Sequence, residues 1–354
     1  MGKYIIHENI GDTFHAGSKA TADCESILLK EGFQILSVSS YEDSPKFIRK
    51  IRRQLQLLKF LKIEKGAEIV VPHPMYIGKR YMKMLQHIKR KKNVKLIFII
   101  HDLESLRGLF QNFTKFFQNL DDAMFEIGNV LIVHNQKMKE YLVKERSVKE
   151  EKIVVLQLFD YLVKEECESK YERRKTDGIA IAGNLLPEKS GYIYKLRETK
   201  FNEKVKLYGV NYEEGITEVS NWEYQGAFPP DVLPFKMEAA YGLVWDGGEI
   251  SECSGSTGNY LRYNNPHKVS LYIAAGLPII IWKQAALAGF IEENKIGFAI
   301  NSLEEMEEVI ANVTDAEYEA MINNMKNITE KVRAGRFTED AYYQSLKVLK
   351  EREI

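Results

Sequence analysis

Four short runs of the chain carry residue types suited to binding and catalysis. The most informative is Tyr263-Asn264-Asn265-Pro266-His267-Lys268, which opens an apolar stretch ending at Gly276-Leu277-Pro278. Proline fits the first turn of a helix because a backbone N–H there has no intrahelical partner. The other amides of that turn, with the positive end of the helix, attract an anion, and Lys268 sets a full charge beside them. A diphosphate uses both at once. The same residues also suit an asparagine cap on a core helix with a surface lysine, and placement at the ligand-binding edge of a sheet favours the anion site.

A second run, Ile181-Ala182-Gly183-Asn184, leads to Pro187 and Lys189 at a helix start. Gly183 lets the backbone approach a ligand closely, Asn184 offers donor and acceptor, and Lys189 can meet a phosphate. A bare turn also uses Gly-Asn. Asp246 follows the apolar Gly242–Trp245 and heads a Gly- and Ser-rich loop, 247–259. There it suits either ligand hydroxyls or plain solvent.

The third run is His101-Asp102 after Leu96–Ile100. A carboxylate or imidazole at such a place can take the proton of an attacking hydroxyl, with Asp102 the leading candidate and His101 the next. A His-Asp pair in a turn also caps helices. The fourth run, Gly11 to Lys19, spaces its glycines six apart with bulky residues between, which departs from the dinucleotide GxGxxG pattern. His15, Gly17 and Ser18 in it suit an acceptor or donor phosphates, and loop-only structure fits equally. The chain holds no HExxH, DxD, GxxxxGK[ST] or GxSxG motif, so neither a required metal nor a serine-hydrolase triad is indicated.

The elements that must position these runs alternate along the chain. Strand patterns at 4–7, 33–38, 68–71, 94–100 and 130–133 are separated by amphipathic patterns at 19–30, 45–61, 78–91, 115–127 and 136–144. The alternation resumes with strands at 178–182, 205–208, 241–245, 278–281 and 297–300, and helices at 187–196, 230–238, 267–275, 287–294 and 303–311. Such alternation builds parallel sheets with right-handed crossovers. The fold class is therefore α/β with two Rossmann-like domains, 1–160 and 178–334, joined by a charged linker 161–177. Thr314-Asp315 caps a helix over 317–332, and a terminal helix within 335–354 is placed to cross back to the first domain. Ligands of open parallel sheets sit beyond the carboxyl ends of the strands, where all four runs fall.

At 354 residues, two domains are expected, and 45% hydrophobic with 28% charged residues excludes disordered and fibrous classes. Three scattered cysteines suggest neither a disulfide framework nor a zinc site. No apolar run is long enough for a membrane span and no signal pattern opens the chain, so a cytoplasmic protein is expected. The zero net charge hides an asymmetry: residues 46–95 hold sixteen Lys/Arg against Glu64 and Glu68. Such a block attracts an anionic membrane surface, nucleic acid or an acidic acceptor, or simply solvates two basic helices.

Tyr241-Gly242-Leu243-Val244-Trp245-Asp246-Gly247, with Tyr263 to Lys268 and Gly276-Leu277-Pro278, resembles the GT-B glycosyltransferases. More narrowly it is similar to the bacterial group of β-1,6-galactofuranosyltransferases and to the adhesin-modifying glucosyltransferases of streptococci. Phe98 to Asp102 and Ala182-Gly183-Asn184 agree with it. The resemblance implies two Rossmann-like domains facing across a cleft and a UDP-sugar donor, with no cofactor required. It implies transfer of a hexose, galactofuranose or glucose, to a glycan, lipid-linked saccharide or glycoprotein. Lys268 and the first-turn amides would hold the diphosphate, Asn184 and Tyr263 would line the nucleotide pocket, and Asn264, Asn265 and His267 belong to the same binding segment. Many relatives place a glutamate near the start of this helix, where His267-Lys268 stands, which leaves the ribose contact unassigned. The expected partners are donor and acceptor, with peripheral membrane contact through 46–95 at the inner face, no nucleic acid, and homo-oligomerisation left open. A non-catalytic relative that binds glycan or assists another transferase is the alternative.

Overall fold

The computed structural model describes residues 2–9, 16–41, 43–76, 78–164, 171–213 and 220–351, with the side chains of 16–18 outside that set. The chain forms two compact units, Met1–Gln157 with Phe337–Ile354, and Leu158–Arg336.

The first unit is built on six parallel strands: β1 (Lys3–Asn9), β2 (Gln34–Ser39), β3 (Glu68–His73), β4 (Lys95–Ile100), β5 (Val130–Val133) and β6 (Ile153–Val155). Their order is β2-β1-β3-β4-β5-β6. The central strands are apolar without alternation because both faces are covered: Leu96 to Ile100 and Val130 to Val133 are all buried. The helix Arg336–Glu351 belongs to this sheet's surroundings. Its Tyr342 donates to Glu68 at 2.8 Å and meets the Phe33 ring edge-on at 5.1 Å, and Thr338 lies 3.6 Å from the Cys24 sulfur.

The second unit repeats the plan with β7 (Ile179–Asn184), β8 (Val205–Val210), β9 (Trp222–Gly226), β10 (Tyr241–Val244), β11 (Ile279–Trp282) and β12 (Gly297–Ile300). The order is β12-β11-β10-β7-β8-β9, all parallel. Thr314 caps the helix Asp315–Ala334 through a reciprocal bond with Glu317, and Gly335 ends it in a left-handed conformation. Arg333 of that helix donates to Ala274 O, so it stays on the second unit. The charged stretch near 171–177 is tied down as well: Arg173 donates to the carbonyls of Met237, Ala239 and Ala275 at 2.7–2.9 Å.

Several elements depart from the sequence reading. The helix expected over 230–238 is only a 3-10 turn, Leu233–Phe235, because Pro234 in its middle has no N–H to continue an α-helix. The pattern over 45–61 divides into an α-helix, Lys46–Leu55, and a 3-10 helix, Gln56–Lys62. The expected loop 247–259 ends in a short helix, Gly255–Tyr260. Pro266 is not inside the first turn: with φ −65° and ψ 130° it precedes the helix His267–Ala275 as its cap residue.

Each sheet has one place where the strand order reverses. It lies between β1 and β3 in the first unit and between β7 and β10 in the second. Crevices beyond the carboxyl ends of such neighbours are where open α/β sheets hold ligands.

Candidate functional site

In the second unit the reversal point lies between the strands that deliver Gly183 and Asp246. Lys268, from the first turn of the helix His267–Ala275, reaches into this place. Its Nζ donates to Asp246 Oδ1 at 2.7 Å and to the Trp245 carbonyl at 3.0 Å. Gly183 has φ +133°, and a Cβ added there would lie 3.4 Å from Lys268 Cε. The positive φ is what calls for a glycine here, since 3.4 Å is ordinary contact distance. The Lys268 and Asp246 side chains are 18% and 14% exposed, so the pair is largely desolvated and still reachable. Burial pulls against the ammonium, but the Asp246 charge and hydrogen bond outweigh it and hold Lys268 above the ordinary lysine range.

Buried tyrosines brace this pair. Tyr272 donates to Leu243 O at 3.1 Å and accepts from Ala182 N at 2.9 Å, so one hydroxyl links β7 and β10 at their reversal. Its ring packs where a Gly242 side chain would be: an added Cβ would stand 2.3 Å from the ring. The Tyr192 hydroxyl is buried with no hydrogen-bond partner among the described residues, and burial, then the charge of Asp246, pushes its pKa well up.

The other expected residues have varied surroundings. Asn184 structures its own turn, accepting from Leu186 N and Asn211 Nδ2, each at 3.1 Å. Lys189 stands half-buried in the first turn of the helix Pro187–Glu198. Tyr263 and Asn264 are half-buried before Pro266, and Asn265 is buried. His267 stacks on Tyr161 at 4.9 Å, with Phe159 edge-on at 6.3 Å.

In the first unit the reversal point is acidic. Glu8, near the end of β1, accepts from Tyr76 N at 3.0 Å, and the Tyr76 hydroxyl donates to Glu104 Oε1 at 3.1 Å. Arg107 donates to Glu104 Oε1 at 3.3 Å and to Asp102 Oδ2 at 3.0 Å. Asp102 is 28% exposed, whereas the Glu104 side chain is 1% exposed and its Oε2 has no hydrogen-bond partner among the described residues. Burial pushes Glu104 up to about 6, against the pull of Arg107. His101 is pushed down to about 4 by burial and by neighbouring His73, so it is neutral near pH 7 and a weak base. His73 is scaffolding, its Nε2 bonded at 2.6 Å to a fully buried Asp121 that also accepts from Ser105. His15 lies outside the described residues, and Gly17 and Ser18 fall in the first turn of the helix Ala16–Lys30 with their side chains outside the described set.

Glu8, Tyr76, Glu104 and Arg107 were not singled out from the sequence. The available signal was Glu104, an acid two residues after Asp102 in a short helix at a strand end. In the second unit, Tyr272 and Tyr192 were equally hidden within apolar helical patterns.

Residues 3–158 match the Glucosyltransferase 3-like N-terminal domain and residues 179–345 match the Glucosyltransferase 3-like C-terminal domain. The chain is 33% identical over 341 residues to the β-1,6-galactofuranosyltransferase WbbI of Escherichia coli (strain K12), covering 95% of this chain and 96% of that one. It is 23% identical over 339 residues to glucosyltransferase 3 of Streptococcus gordonii, covering 93% of this chain and 95% of that one. Among solved structures, an α-glucosyltransferase in complex with UDP and a 13-mer DNA containing a HMU base has a TM-score of 0.61 at 12% identity, covering 99% of this chain and 100% of that one. TarM has a TM-score of 0.53 at 14% identity, covering 83% of this chain and 57% of that one. With both domain models matched and a relative this similar along nearly its whole length, the chain belongs to the Glucosyltransferase 3-like family and is a hexosyltransferase of the GT-B fold.

Proposed function

We propose that this enzyme transfers galactofuranose or glucose from a UDP-sugar to a hydroxyl of a glycan, lipid-linked saccharide or glycoprotein. The observation that carries the reading is Lys268 at the β7/β10 reversal, where it meets the opening of its own helix and a glycine that leaves room for a ligand. An ammonium has three hydrogens; Asp246 and Trp245 take two, and the third is available to a phosphate oxygen. The names of WbbI and glucosyltransferase 3 support the two sugars, and the UDP bound by the α-glucosyltransferase supports the nucleotide.

In this reaction the second unit holds the donor. Lys268 and the opening amides of the helix His267–Ala275 counter the charge that grows on the diphosphate as its oxygen parts from the sugar carbon. Asn184 and Tyr263 flank the nucleotide, with Lys189, Asn264, Asn265 and His267 in the surrounding wall. The first unit activates the acceptor. Asp102 takes the hydroxyl proton as that oxygen bonds to the sugar carbon, and His101, neutral and half-buried, holds the turn behind it. Gly17 and Ser18, in the first turn of the helix Ala16–Lys30, and His15, next to that helix in sequence, contribute to acceptor or phosphate contacts. No metal is assigned a role, because Lys268 and the helix amides supply the positive field.

Thermal melting with UDP, UDP-galactofuranose, UDP-glucose, UDP-galactose and UDP-N-acetylglucosamine tests this directly. UDP and either UDP-galactofuranose or UDP-glucose should raise the melting temperature, with slow hydrolysis of the matching donor. A melting temperature indifferent to all five overturns the reading.

A further inference from the structure

The helix Lys46–Leu55 is turned the wrong way round for a surface helix. Surface helices of soluble domains face their apolar stripe inward and their charges outward. Here no residue of the helix is buried. Three- and four-residue spacing puts Phe47, Ile48, Ile51 and Leu55 on one face, and Lys46, Arg49, Lys50 and Arg53 on the other. The apolar face is open to solvent: Phe47 is 74% and Leu55 58% exposed, with Ile48 and Ile51 above 40%, and the half-buried side chains, Arg49 and Arg53, are on the other face, where Lys46 and Lys50 are exposed. The side chains nearest the domain body are cationic, Arg49 bonding to Ser44 O at 3.2 Å and Arg53 to Ser40 O at 2.7 Å. The apolar surface continues along the 3-10 helix through Leu58 and Leu61, which are 54% and 46% exposed.

Beneath the helix is a cavity of about 430 Å³ whose rim carries Lys46, Arg49, Lys50, Arg53, Lys79 and Arg80. Between residues 46 and 62 there are seven Lys/Arg and no acid. An apolar ridge bordered by cations with no anion among them matches a surface that is greasy within and negatively charged outside. We propose that residues 46–62 dock this enzyme onto an anionic lipid bilayer. Phe47, Ile51, Leu55 and Leu58 enter the acyl boundary while the surrounding Lys and Arg reach the phosphates. A second copy of the chain fits poorly, since a symmetric contact through residues 46–62 would bring together two cationic segments that carry no acid. No helix among the described residues is long and apolar enough to cross a membrane, so this docking is peripheral.

Co-sedimentation of the full chain with vesicles tests the proposal without any sugar donor, so its outcome is separate from that of the transfer reaction. The protein should pellet with vesicles of phosphatidylcholine mixed with phosphatidylglycerol, much less with phosphatidylcholine alone, and be released as NaCl rises from about 50 mM to about 500 mM. The double variant Phe47→Ser, Leu55→Ser should bind at least about tenfold more weakly while keeping its melting temperature, because both side chains already face solvent. Arg49 and Arg53 hold the helix in place, so charge is tested at exposed Lys46 and Lys50, where Lys46→Glu, Lys50→Glu should also weaken binding. Wild-type protein that stays in the supernatant overturns the proposal. So does vesicle binding unchanged by the Phe47/Leu55 pair, or a dimer in sedimentation velocity that the same pair abolishes.

Discussion

The two units use one strand plan for opposite electrostatics. At the β7/β10 reversal a lysine stands at a helix opening, its charge met by one carboxylate, Asp246. At the β1/β3 reversal and the neighbouring end of β4 stand three carboxylates: Tyr76 bridges Glu8 to Glu104, and Arg107 pairs with Glu104 and Asp102. In the proposed reaction the first arrangement would receive negative charge and the second would take up a proton. The sheet fixes where ligands can approach, and a few residues at strand ends decide what they meet there.

The sharpest way to break this comparison is to remove one function at a time. Asp102→Asn should lower kcat by about 10²–10⁴ while leaving UDP affinity intact in calorimetry, since a general base contributes on that scale. If UDP affinity fell with it, the division of labour between the units would be wrong. Lys268→Ala should lower kcat/KM by about 10²–10³ and weaken UDP in parallel, while the protein still melts cooperatively. Near-normal turnover in that variant would remove the donor site from this crevice.

Smaller effects refine the same contrast. Gly242→Ala forces a methyl to within 2.3 Å of the Tyr272 ring, so it should cost about 1–3 kcal/mol in chemical denaturation. Because Tyr272 ties β7 to β10, UDP binding should suffer while the acidic site is untouched; a fully stable variant would show that the contact relaxes freely. Glu104 gives a pH signature. Its pKa rises from 4.5 to about 6 on folding, so the folded chain binds more protons in that window and stability falls as pH increases through it. The drop is about 2 kcal/mol at about 1.4 kcal/mol per pH unit. Glu104→Gln should flatten that segment of the stability curve, and an unchanged slope would place the titration elsewhere.

How much of this could be read from the sequence depended on how local the cause was. Strands buried on both faces, such as Leu96 to Ile100, declare themselves as unbroken apolar runs, and Thr314 with Glu317 is a cap written in four residues. The edge strand β9, Trp-Glu-Tyr-Gln-Gly, is largely exposed and too polar to be distinguished from a loop. Three-residue β6 is too short to carry a period. Lys268 and Asp246 were each singled out, but nothing local announced that they pair across 22 residues, still less that Glu8 would meet Tyr76 across 68. Tyr272 was hidden because its role is to fill the space left by Gly242, a relation that exists only between strand and helix. The inverted polarity of the helix Lys46–Leu55 was invisible for a similar reason: the sequence displays two faces, and only the fold says which one looks outward.

The contact between Lys268 and Asp246 also bears on what happens between turnovers. A lysine whose charge is already offset by Asp246, 2.7 Å away, exerts little pull on stray monovalent anions. In the proposed donor site a diphosphate carries more charge to attract, and on the third ammonium hydrogen it would stand beside Asp246 as a negative neighbour. After the sugar has gone, that repulsion would act on the spent nucleotide. On that reading, holding the leaving group and letting it go would be built into one ion pair.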